Sequence, residues 1–347
     1  MKRGIKITLI VLGSAILSLG CFVGGLASYG TCFDKYQESS VHYNDWMKDI
    51  KDDTKLIDIA MPGSHDSGTI NMPWVANTQT YSIKEQLMAG VRYLDIRVNK
   101  KSEDNYVIFH DVVDGTGFLP ILTDIREFIL ANPTETLLLD FQHFKGGAEN
   151  NVRVFIKSYL YDDNLLVENK FSSSLTDLAY ISDLTIGQTR GKCIAMFPLG
   201  LVSSSDTYIF PRNNDVCSEK GTVLNSCYIP SYNKMKSSDY ICNGLPVYFA
   251  NIRKKIEDEH YKGIFVLQGQ LTDGKLVFGP WSREKSHASN MEAYIDSLKY
   301  SADLSLVNII MRDFVNPGKA KQIINLNSSK ENIKETEQEN FSFKFGS

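Results

Sequence analysis

The stretch "MPGSHDSGT" sets Ser64, His65, Asp66 and Ser67 side by side, directly after the apolar run "KLIDIAM". Three chemistries use such residues: a serine nucleophile with a histidine base, a metal ion held by imidazole and carboxylate, and general acid–base catalysis shared with a group elsewhere. Triad members converge in space from separate elements, and consecutive side chains cannot adopt the nucleophile–base–orienter geometry among themselves. A G-x-S-x-G elbow is also missing. Serine hydrolysis is set aside, which leaves a metal centre or half of an acid–base pair.

Further along, "VRYLDIRV" alternates Tyr93, Asp95 and Arg97 with Leu94, Ile96 and Val98. In a strand these sets face opposite ways. The aliphatic face suits covering helices, so Asp95 and Arg97 are expected to point inward, where an ion pair is costly unless its members meet each other or a charged ligand. "YVIFHD" brings His110 to the end of the next run, and "LVNIIMRDF" closes on Asp313. Two imidazoles can serve as general base and general acid for transfer at phosphorus, while a guanidinium holds phosphoryl oxygens bidentately. That chemistry requires no metal and no cofactor. His143, in "FQHFKGG", is the competing histidine and reads as a rim or substrate-contact residue.

These side chains need a scaffold that collects strand ends. About eight β-rich runs recur: "KLIDIAM", "VRYLDIRV", "NYVIFHDV", "ETLLLDFQHF", "KCIAMFPL", "LPVYFANI", "GIFVLQGQL" and "LVNIIMRDF". Helical signals fall between several of them. "SIKEQLMAG" has a capping box from Ser82 to Glu85 and a closing Gly90, and "NPGKAKQIINLN" places Pro317 at a first helical position behind Asn316. The alternation predicts an α/β fold, an irregular TIM-type (β/α)8 barrel forming a single catalytic domain. Neighbouring parallel strands lie about 4.8 Å apart, so the first three would carry His65, Arg97 and His110 to one mouth. The last strand, adjacent to the first in a barrel, would bring Asp313 to orient His65.

Composition fits a folded globular chain, and the net charge of −4 gives no electrostatic reason to expect nucleic acid. Lys2, Arg3 and Lys6 precede an uncharged stretch from Ile7 to Phe33, longer than the about 20 residues a span needs. Residues 1–33 are therefore expected to be a signal peptide or membrane anchor that places the rest outside the cell. The barrel is expected over residues 34–326, and a flexible polar tail over 327–347. An exported domain would tolerate bridges among Cys193, Cys217, Cys227 and Cys242. A monomer is expected.

Taken in order, "MPGSHDSGT", "VRYLDIRV", "VIFHD", "NPTETLLLDF", "TRGKCIAMF" and "NIIMRDFVNP" resemble the X domain of bacterial phosphatidylinositol-specific phospholipase C, over roughly Asp53 to Leu326. The resemblance implies an incomplete (β/α)8 barrel acting on a phospholipid at a membrane surface. It implies that His65 takes the proton from the inositol 2-hydroxyl, that Asp313 orients His65, and that Arg97 binds the phosphate. His110, helped by Asp66, would protonate the departing diacylglycerol oxygen, with Asp95 supporting arginine and histidine from below. In calcium-dependent relatives a metal ligand stands at the arginine position, so Arg97 resembles the metal-independent branch. Trp74 and Trp281 fall near where membrane-touching tryptophans occur in the family. Gln142 stands at the position of a family lysine that lines the inositol pocket, and Tyr232 at that of a stacking tyrosine. Pro198 replaces a pocket arginine. The resemblance thus implies intact phosphate chemistry and altered headgroup recognition. The alternatives are a metal-dependent glycerophosphodiesterase or sphingomyelinase-like enzyme, and an inactive lipid- or glycan-binding barrel.

Overall fold

The computed structural model describes residues 41–168, 181–203, 205–212, 223–225, 237–259, 263–271 and 279–333. Ten strands belong to one sheet: β1 (Met61–Ser64), β2 (Tyr93–Ser102), β3 (Asn105–His110), β4 (Val113–Gly117), β5 (Thr136–Lys145), β6 (Lys192–Pro198), β7 (Ile209–Arg212), β8 (Val223–Asn225), β9 (Ile264–Gln268) and β10 (Ile309–Arg312). Eight of them run in the order β7-β6-β5-β2-β1-β10-β9-β8, and every pairing along that path is parallel. The last strand lies against the first, as in a (β/α)8 barrel. Among the described residues no ladder joins β7 to β8, so the sheet is a curled, incomplete barrel.

Alternation along the strands divides the core in two. Met61, Tyr93, Leu138, Ile194, Met196, Phe210, Val266, Ile309 and Met311 pack together within the curl. The intervening residues, such as Leu94, Ile96, Leu137, Leu139 and Phe141, meet Ile121, Leu122 and Ile125 of helix Phe118–Ala131. Both helix starts read from the sequence are present. Ser82 and Glu85 make the reciprocal bonds of a capping box before helix Ile83–Met88, and Gly90 follows it at a φ of +112°. The Asn316 side chain accepts from the Lys319 amide to cap helix Pro317–Ile324.

Four expectations are corrected. The run "NYVIFHDV" is no barrel strand: β3 pairs antiparallel with β2 and then with β4. Only Glu103 and Asp104 separate β2 from β3, and a parallel return needs a crossover of a dozen or more residues. "LPVYFANI" begins helix Leu245–Glu259; its buried Leu245, Tyr248, Phe249 and Ile252 follow helical spacing, and β7 and β8 complete the eight-strand path. The body also continues beyond Asn327. That side chain accepts from the Ala60 amide and donates to the Ala60 carbonyl, both at 2.9 Å, and Ile333 bridges to Ile50. Cys193 and Cys242 are free thiols, not bridge partners. The segment expected to anchor or export the chain, most of the expected tail, Cys217, Cys227 and Tyr232 lie outside the described residues. Among the described residues no helix is long and apolar enough to cross a membrane.

Candidate active site

β1 delivers His65 to the mouth of the barrel through a site of close approach. Gly63 pairs with Tyr93 and Met311 on its two sides, and a Cβ there would meet Ile309 at 3.0 Å and the Tyr93 ring at 3.1 Å. The chain then turns sharply. Asp66 has a φ of +44°, and its amide donates to the Asp95 carboxylate at 3.1 Å while Ser67 N–H donates to the Asp95 carbonyl at 2.8 Å. Two residues that the sequence reading passed over lock this turn. Thr78 Oγ1 and Gln79 Nε2 donate to the His65 carbonyl at 3.1 and 2.8 Å. Both sit in a loop with no periodic signal, so their role becomes visible only in three dimensions.

The six proposed catalytic side chains come together. His65 Nδ1 lies 2.8 Å from Asp313 Oδ1. A carboxylate only accepts, so Nδ1 carries the proton and Nε2 faces the mouth, 3.3 Å from Asp66 Oδ2. His110 Nε2 reaches the same carboxylate oxygen at 3.6 Å. Its Nδ1 donates to the Ala76 carbonyl at 2.8 Å, which fixes the ring and leaves Nε2 as its working atom. The β2–β3 hairpin, not a third barrel strand, carries this histidine over the mouth.

Arg97 lies between two buried carboxylates. Its Nε is 2.7 Å from Asp66 Oδ1, and its Nη2 is 2.9 Å from Asp95 Oδ2. Burial opposes the charge of Asp95, yet Arg97 and then His65 hold it below the ordinary carboxylate range. Level with Asp95 on the neighbouring strand, Asp140 pairs with Arg212 at 2.6 Å and accepts from the Tyr93 hydroxyl, which sets a second buried ion pair beside the site.

His65, Asp66 and Asp95 present atoms within 4.8 Å of one another, a spacing a metal ion could use. However, Arg97 already contacts both carboxylates, and a guanidinium stays charged at any working pH. A divalent cation would have to displace it, so these residues fit an arginine-centred site and not a metal centre.

Burial disfavours the charged imidazole of His65, but Asp66 and then Asp313 outweigh it and push the pKa up to about 9. Burial raises Asp313 as well, against the pull of His65. The pair is an imidazolium and a carboxylate, because two carboxylates face one imidazole. In the unfolded chain His65 returns to about 6.5. The stabilisation is therefore full below pH 6.5 and disappears as pH rises through about 9. Two measurements check this. The His65 ring should titrate near 9 by NMR and move downward in Asp313→Asn, and the melting temperature should fall between pH 6.5 and 9 less steeply in that variant.

The remaining predicted residues divide. A bulge in β5 shifts the register so that Arg97 pairs with His143. Paired residues share a face, so exposed His143 lies on the Arg97 side, whereas Gln142 falls in the bulge and is buried. Trp281 sits edge-on to Phe314 with centroids 4.9 Å apart. Gly279 approaches Trp74 so closely that a Cβ would lie 2.4 Å from its carbonyl oxygen. Both tryptophans are half-buried, Trp74 in the turn that follows the His65 loop and Trp281 in the first turn of helix Pro280–Ser297.

Comparison with known proteins places residues 56–189 on the family model described as phosphatidylinositol-specific phospholipase C, X domain. The chain is 32% identical over 170 residues to 1-phosphatidylinositol phosphodiesterase of Listeria monocytogenes, covering 46% of this chain and about half, 52%, of that relative. It is 23% identical over 294 residues to the enzyme of the same name from Staphylococcus aureus, covering 80% of this chain and 82% of the relative. Among solved structures, phosphatidylinositol-specific phospholipase C from Listeria monocytogenes superposes with a TM-score of 0.61 at 20% identity, over 83% of this chain and 99% of that one. This likeness establishes the fold.

Proposed function

We propose that the chain is a member of the phosphatidylinositol-specific phospholipase C X-domain family, whose model residues 56–189 match, and that it is a lyase cleaving phosphatidylinositol, or a related glycosylphosphatidylinositol, to diacylglycerol and a cyclic inositol phosphate. The observation that carries the reading is the convergence of two imidazoles on one oxygen of a carboxylate whose other oxygen meets a guanidinium. His65 Nε2 and His110 Nε2 lie 3.3 and 3.6 Å from one oxygen of Asp66, while Arg97 holds the other at 2.7 Å.

In this reading His65 works once its Nε2 has given up its proton, a state reached as pH rises toward about 9; it then takes the proton of the hydroxyl beside the phosphoester, and that oxygen bonds to phosphorus. Arg97 neutralises charge building on the non-bridging oxygens. The bond from phosphorus to the glycerol oxygen breaks, and His110 gives that oxygen its proton. One proton is taken and one is given, so the products are an alcohol and a cyclic diester. Asp313 holds the His65 tautomer and Asp66 faces the imidazolium of His110. The substrate is a membrane lipid, and the basic flank followed by the uncharged stretch Ile7–Phe33 supports action outside the cell. Trp74 and Trp281 then lie where a rim meets the bilayer, since tryptophan suits the headgroup level.

Phosphorus NMR of the purified protein with phosphatidylinositol vesicles tests the reading. The expected product is a cyclic inositol phosphate signal, formed at an unchanged rate in excess EDTA. Vesicles of phosphatidylcholine should give no product. A linear phosphomonoester appearing first, or loss of activity on chelation restored by a divalent ion, would overturn it.

A further inference from the structure

Behind the strand that carries Asp313 lies a second charged cluster that the proposed chemistry leaves unused. Met311 packs within the curl of the sheet and Ile310 packs on its outer side, so Arg312 projects outward. There its Nη2 meets Glu284 Oε1 of helix Pro280–Ser297 at 3.0 Å. The same oxygen is bonded by Lys319, from helix Pro317–Ile324. Arg312, Glu284 and Lys319 are 0%, 3% and 8% exposed, so all three charges sit in the interior.

Lys319 does more than neutralise Glu284. Its Nζ donates to the carbonyls of Asp313 and Phe314, each at 2.9 Å. Phe314 has a φ of +47°, a conformation that a bulky residue adopts only when its surroundings impose it. The other bonds on this turn come from the opposite side: the Phe314 amide donates to the Thr78 carbonyl at 2.7 Å, and the Val315 amide to Gln79 Oε1 at 3.1 Å. The Arg312 carbonyl accepts from the His65 amide at 3.1 Å. The turn that aims the Asp313 carboxylate is thus held between the His65 loop and one buried ammonium.

We infer that Lys319 is a positioning residue for the His65–Asp313 pair: its ammonium fixes two successive peptide carbonyls and so sets the direction in which the Asp313 carboxylate leaves the strand. Its charge has a second effect. Glu284 repels Asp313 through the strand, and Lys319 with Arg312 cancels that repulsion. The kinetic consequence rests on the lyase reading, but the geometric one concerns His65 alone, so the two can fail separately.

The test is Lys319→Met, which keeps the stem and removes the ammonium, compared with Lys319→Arg, which keeps a cation and donors. In Lys319→Met the His65 ring titration, followed by NMR of labelled histidine, is expected to move downward from about 9. Its kcat is expected to fall about 100-fold through misplacement of the base, with KM little changed. Lys319→Arg should recover most of both. A merely structural lysine would lower the melting temperature and leave titration and kcat where they were, which overturns the inference. Glu284 keeps Arg312 as its partner in Lys319→Met; should that variant still not fold, the double variant Glu284→Gln with Lys319→Met removes both charges and leaves Arg312 an amide oxygen to bond. It should show the same downward titration, and an unmoved titration there is equally decisive against the role. If the wild-type protein cleaves no lipid, the proposed reaction fails while the titration still decides what Lys319 does.

Discussion

Arg97→Lys is expected to lower kcat by roughly a hundred- to a thousandfold, the scale on which a single fixed donor to a developing anion contributes, while the protein stays folded. Lysine keeps the positive charge between Asp66 and Asp95, so the burial of those carboxylates remains largely compensated. What it loses is geometry. The guanidinium bonds Asp95 through Nε and Nη2 at 3.2 and 2.9 Å and meets Asp66 through Nε at 2.7 Å, a planar fork held in one orientation that an ammonium cannot reproduce. Arg97→Ala removes the charge as well. Breaking a buried pair costs about 3–5 kcal/mol because a charge is left uncompensated, and here two carboxylates are orphaned. The alanine variant should therefore lose both activity and melting temperature, and the lysine variant activity alone. Equal melting losses in the two would mean that charge plays no part in holding this layer together. Full activity in Arg97→Lys would remove the phosphate clamp from the mechanism.

The site was more legible than the sheet that carries it. Alternation in "VRYLDIRV" sent Asp95 and Arg97 to the same face without any knowledge of neighbours, because a strand has a two-residue period. Likewise the last strand of a barrel must lie beside the first, which predicted the meeting of His65 with Asp313. The errors arose where an apolar run carries no directional information. "NYVIFHDV" reads as a strand either way, and only the two-residue connection to β2 shows that it must return antiparallel. "LPVYFANI" has β-forming residues but helical spacing, and spacing won. The bulge that brings His143 level with Arg97 is an inserted residue within a ladder, a feature of pairing and not of either strand. Thr78, Gln79 and Lys319 act through backbone carbonyls, which carry no side-chain signature, so no residue type or regular interval along the chain marks them.

The two histidines should separate when the leaving group changes. His65→Ala and His110→Ala are each expected to slow cleavage of phosphatidylinositol by about a hundred- to ten-thousandfold, the usual contribution of a placed proton-transfer group. Departure of an alkyl alkoxide demands a proton, whereas a nitrophenolate leaves as a stable anion. On a 4-nitrophenyl ester of inositol phosphate, His110→Ala should therefore recover to within about tenfold of the parent, since no general acid is needed. His65→Ala should stay slow on both substrates, because the attacking hydroxyl is the same. The geometry supports this division: His65 carries its orienting carboxylate at 2.8 Å, as a base requires, and His110 is tethered to a neutral carbonyl at 2.8 Å with Asp66 before it. Recovery of His65→Ala in place of His110→Ala would exchange the two roles, and equal losses on both substrates would mean that neither imidazole handles the leaving oxygen.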